Sequence, residues 1–113
     1  MINKFRAWDE KDREICDVIS LDWKHEIIEV SNGYAIWPRD FFEVELMQST
    51  GLKDINGTEI YEGDILKTSI KNLVVEWVPK GACWGIGCHY LFHYYETSEV
   101  IGNKYQHPEL LEG

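Results

Sequence analysis

The sequence predicts a mainly-β fold, a small barrel or sandwich, and three observations carry that expectation. Runs rich in β-branched and aromatic residues recur along the chain, broken by turn chemistry about every ten residues. No stretch sustains the apolar periodicity of a long helix. Asn56-Gly57, flanked by segments with alternating apolar residues, is the strongest short hairpin signal a sequence can carry. With no repeat and no low-complexity tract, residues 1–113 are expected to form a single domain.

The elements follow in order. Phe5-Arg6-Ala7-Trp8 alternates and reads as a first strand, and residues 15–21 as a second, with residues 10–14 as a short helical lead-in. Residues 27–30 make a third strand, and Ser31-Asn32-Gly33 turns the chain back through Tyr34-Ala35-Ile36-Trp37. Pro38-Arg39-Asp40 breaks that run and opens a helical turn before Glu43. Residues 45–49, 59–61, 64–70, 74–78, 89–95 and 99–101 are the remaining strands. Asn56-Gly57 suits a type I′ turn, and Gly63 a bulge or corner between Tyr61 and Asp64. His107-Pro108-Glu109-Leu110-Leu111 suits one helical turn, with proline at the first helical position.

Composition bounds the function. At 113 residues, 44% apolar and with five tryptophans, the chain has the material for a real core. Its 11 basic and 20 acidic residues give a net charge of −9, a field that repels phosphate backbones and anionic lipid. Direct nucleic-acid binding and membrane association are therefore not expected. The acids are spread evenly: 7 basic and 12 acidic residues precede Asn56, and 4 and 8 follow it. The opening MINKFRAWDEKDREI is too charged for a signal peptide. The longest uncharged run, residues 81–95, is 15 residues long with two histidines, too short and polar to span a bilayer. A cytoplasmic protein is expected, with Cys16, Cys83 and Cys88 as reduced thiols.

Two clusters have the residue types for chemistry. Asp54, Glu59, Glu62 and Asp64 read as solvated turn acids, because the calcium-loop spacing fails: Gly57 comes two residues early and Ile65 stands where the loop's last glutamate belongs. Cys83, Cys88, His89 and His93 are the ligand types of a zinc site. On one strand, however, His89 and His93 would lie roughly 13 Å apart, too far for a single ion. A metal site therefore needs either a bend in that segment, or Cys83, Cys88 and His89 as ligands with a fourth from elsewhere, and the sequence leaves open whether they bind metal. No cofactor is expected, and no residue is assigned a catalytic, cofactor-binding or metal-binding role. The glycines of residues 81–89 lack the dinucleotide and phosphate-loop spacings and read as a tight bend around Trp84. Trp23, Trp37, Trp77, Trp84, Tyr90, Phe92, Tyr94 and Tyr95 read as core or subunit interface, with Tyr90, Phe92 and Tyr94 on one strand face.

Residues 46–66 contain a recognisable signature. Leu46-Met47-Gln48, Thr50-Gly51-Leu52-Lys53-Asp54, Asn56-Gly57 and Glu59-Ile60-Tyr61-Glu62-Gly63-Asp64-Ile65 resemble the YopX-like proteins of phages and prophages. Lys4-Phe5-Arg6-Ala7-Trp8-Asp9 is similar to that family's opening. Glu99-Val100-Ile101-Gly102-Asn103 and Pro108-Glu109-Leu110-Leu111 are similar to its close. The resemblance implies a small SH3-like barrel with additional strands and one or two short helical turns, its core about residues 43–105, with no established activity and no recognised catalytic residues. Ser49 stands where the family carries an aromatic, and residues 104–107 depart from its Tyr-Glu-Asn run. Residues 10–41 and 68–97 match no part of the signature, so specificity peculiar to this chain is expected there.

The function expected is that of a non-enzymatic phage accessory protein in the bacterial cytoplasm. It would act through an unidentified host or phage protein partner and by forming a homo-oligomer. An acidic nucleic-acid mimic that inhibits a host DNA-binding protein is the alternative, with a small zinc-binding protein behind it.

Overall fold

The computed structural model describes residues 4–87 and 89–111, which form eleven β-strands joined by tight turns and five short 3-10 segments. Among the described residues there is no α-helix, and no helix is long and apolar enough to cross a membrane. The chain divides into two compact units, Met1–Gln48 and Ser49–Gly113.

The first unit is an antiparallel meander of β1 (Phe5–Asp9), β2 (Glu14–Asp22), β3 (Ile27–Ser31) and β4 (Ile36–Asp40), with the start of β5 (Val44–Lys53) paired to β1. Its loops share one device. Asp9, Asp22 and Asn32 each accept the backbone N–H groups of the residues two and three further on. Such Asx side chains do in a turn what backbone carbonyls do in a helix. The first two loops also end on a left-handed residue, Arg13 (φ +57°) and Glu26 (φ +55°). Residues 10–13 are therefore a hairpin loop and not a helical lead-in. Pro38 does not end its strand either, because β4 lies at the sheet edge, where a missing N–H costs no ladder bond.

Alternation places Ala7, Cys16, Ile28, Val30 and Val44 in one buried cluster, with Trp37 and Phe41 packed on it. Each such aliphatic side chain contributes about 1.5–3 kcal/mol when fully buried. The same unit buries Asp9 completely. Its carboxylate accepts Trp37 Nε1–H at 3.0 Å and Arg39 Nε–H at 3.2 Å, and Arg39 Nη2 also donates to Asp12 at 3.1 Å. Burial alone would push the Asp9 carboxyl up, but the donors from Trp37, Arg39 and the loop backbone outweigh it and hold the group below its ordinary value.

The second unit begins within β5 and continues through β6 (Glu59–Tyr61), β7 (Asp64–Lys67), β8 (Asn72–Val78), β9 (Cys83–Ile86), β10 (His89–Tyr90) and β11 (Glu99–Asn103). Ile60, Leu66, Leu73, Val75, Ile86 and Leu91 form its core. The β5–β6 hairpin sits where Asn56-Gly57 predicts it, but only Gly57 takes positive φ (+81°). Gly57 N–H donates to the Asp54 carbonyl and Asp54 N–H to the Thr58 carbonyl, a three-residue loop closed by a left-handed glycine instead of a type I′ turn. Asp54 and Asp64 are buried and not solvated. Asp54 accepts N–H groups from Asn56, Thr58 and Val100, and Asp64 that of Tyr61.

The mainly-β class holds, and the SH3-like barrel does not. Hydrogen-bonded strand order gives two open sheets, β4-β3-β2-β1-β5-β6 and β10-β9-β8-β7-β11. Closing a barrel requires the two edges of a sheet to pair with each other. Here the edge strands β6 and β10 have only three and two residues, too short to make that ladder. The core expected over residues 43–105 is accordingly not a barrel.

Candidate functional site

The second unit places its exposed aromatic residues together. β8 and β9 run antiparallel with Trp77 directly opposite Trp84, their rings 5.1 Å apart and edge to face. The tight connection between them is a 3-10 turn, Pro79–Gly81, that ends on left-handed Ala82 (φ +48°). Gly85 permits the close strand approach, since a Cβ there would stand 2.9 Å from Val78 Cγ2. Residues 83–86 thus form a strand where their glycines suggest a bend.

Beyond β10 the chain departs further from expectation. Residues 89–95 are not one strand: two residues pair, and the chain then coils into the 3-10 turns Leu91–His93 and Tyr95–Thr97. Leu91 is fully buried and anchors this segment, while Tyr90 and Phe92 are 60% and 72% exposed. Tyr90 and Phe92 therefore do not share a strand face with Tyr94. His93 lies 5.9 Å ring to ring from Tyr90, and Tyr95 lies 6.0 Å from Phe92.

These side chains border a groove of about 480 Å³ lined by Leu52, Cys83, Trp84, Tyr90, Phe92 and His93, with Thr50 at its wall. Its volume is that of a ligand or side-chain pocket. No lysine or arginine lines it. Thr50 Oγ1 already donates to the Ile60 carbonyl at 2.8 Å, so the wall offers little polarity. Outside the lining residues, the Tyr95 hydroxyl donates to the Glu96 carboxylate at 3.1 Å, a bond that pushes that phenol up.

Cys83 and His93 line the groove, whereas His89 packs its ring 5.1 Å from Tyr94. Cys88 lies outside the described residues. Among the described residues no group of three or more His, Cys, Asp or Glu side chains is placed to hold a metal ion. Cys16 is buried in the first unit, where desolvation and then the Glu14 carboxylate push its thiol up to about 11. That thiol carries no nucleophilic anion near neutrality. The aromatic run was visible in the sequence, but the contribution of Thr50 and Leu52 to the groove was not, because β5 reaches the groove through the fold and not through spacing.

The site thus belongs to a mainly-β protein of open sheets whose candidate surface is apolar and aromatic. The YopX protein family matches residues 4–112, and the chain belongs to that family, one associated with phages and without a characterised function. The crystal structure of protein EF1440 from Enterococcus faecalis is similar to it, at 29% identity and a TM-score of 0.68, over 99% of each chain. No curated protein matches.

Proposed function

We propose that the chain is a non-enzymatic accessory protein of a phage or prophage, acting in the bacterial cytoplasm through protein contacts and self-association. The observation that carries this reading is the groove of the second unit, where Tyr90 and Phe92 expose more than half their surface beside Trp84. Exposed aromatic clusters of this kind mark contact surfaces, since large rigid rings gain much from burial and lose little entropy. Membership in a phage-associated family supports the setting. Sedimentation velocity and capture from an infected or lysogenic host lysate test it together. The expected outcome is a species heavier than the monomer, and a recovered partner that Phe92→Ser no longer retains. A monomer that recovers nothing overturns the reading.

A further inference from the structure

We propose that the groove of the second unit receives an arginine side chain from a basic segment of a partner protein; this rests on the protein-contact reading above. The first argument is the shape and chemistry of the walls. Trp84, Tyr90 and Phe92 line a cavity of about 480 Å³ that no lysine or arginine lines. Lys53 follows Leu52 on β5 but points to the opposite strand face, and Lys80 is not among the lining residues. A planar guanidinium stacks on such rings more favourably than a hydrated ammonium does.

The second argument is the chain's own use of the same chemistry. All three of its arginines, Arg6, Arg13 and Arg39, lie in the first unit. There the guanidinium of Arg13 sits 5.5 Å from the Trp8 ring centre and that of Arg39 5.8 Å from Trp37. The second unit holds two tryptophans, Trp77 and Trp84, and no arginine of its own, so no side chain within that unit supplies such a contact.

Charge complementarity is the third argument. A net charge of −9 draws a basic segment toward the molecule.

The test is a titration of the full chain with a flexible Gly/Ser peptide carrying arginine, followed through the Trp84 indole N–H resonance. Matched peptides with lysine or glutamine in place of arginine are run beside it. The arginine peptide is expected to shift that resonance, the lysine peptide to bind more weakly, and the glutamine peptide not to bind. Tyr90→Ser and Phe92→Ser, both at exposed positions, are expected to weaken arginine binding by about tenfold each. Equal binding by wild type and both aromatic variants overturns the proposal, because the acidic field alone would then hold the peptide. Equal binding of lysine and arginine overturns it as well. Absence of peptide binding, in a protein that still self-associates or retains a partner, overturns the arginine occupant and leaves the contact reading standing. Loss of all three removes both.

Discussion

Asp9 is surrounded by donors: Trp37 Nε1–H, Arg39 Nε–H and the N–H groups of Lys11 and Asp12 all point at its carboxylate. Only the ionised form satisfies every one of them. Its folded value therefore lies below the ordinary 3.8 despite complete burial. The sign of the linkage follows. A carboxyl depressed on folding contributes stability that is full above its unfolded value near 3.8, and that is lost as pH falls through the lower folded value. Asp9→Asn should cost about 3 kcal/mol near neutral pH, because it leaves the largely buried Arg39 guanidinium with only the half-exposed Asp12 as a charge partner. Urea unfolding of both proteins between about pH 6 and about pH 2 checks this. The two stabilities should converge as acid removes from the wild type what the substitution has already removed. Parallel curves would mean that Asp9 does not ionise in the fold.

At the scale of elements, two glycines separate conformational strain from steric contact. Gly57 sits at φ +81° with nothing within 4 Å of a hypothetical Cβ, so Gly57→Ala meets only backbone strain. That strain is worth about 1 kcal/mol. Gly102 lies at the bulge where β11 shifts register against β7, and a Cβ there would stand 2.6 Å from His107 Nδ1. The same nitrogen accepts the Asn103 N–H at 3.2 Å, so Gly102→Ala both displaces the imidazole and breaks the bond that closes the following turn. The expected cost is about 2 kcal/mol. A double-mutant cycle distinguishes the two causes: in a His107→Ala background Gly102→Ala should cost clearly less, since the obstructing ring is gone. Strictly additive losses would place the strain in the backbone of the bulge.

Over the whole molecule, what the sequence disclosed depended on whether the controlling interaction was local. Asn56-Gly57 marked its hairpin because glycine's freedom is a property of the residue itself. Ile28-Glu29-Val30 likewise carries its own burial pattern, buried, exposed, buried, although the neighbouring Ile27 falls on the exposed face. Sheet closure was not legible, because it depends on which edges meet: residues 59–61 carry β6 at its true length, but the run over 89–95 does not record that only His89–Tyr90 pair. Asp54 has the sequence context of any turn acid, yet its buried carboxylate accepts the N–H of Val100, 46 residues away in sequence. The groove was half legible: Trp84, Tyr90 and Phe92 stood out, while Leu52 joins them only in the fold. Net charge acts at this largest scale and yields a final prediction. Two copies each carrying −9 repel one another, so self-association by apolar contact should strengthen as salt screens that repulsion. An arginine-bearing segment bound at the groove should respond in the opposite sense, because screening removes the attraction that recruits it. Sedimentation velocity and peptide titration, each run from about 20 mM to about 500 mM salt, should therefore move in opposite directions. If self-association weakened with salt instead, ion pairs would be holding the copies together, and the apolar origin of that contact would be wrong.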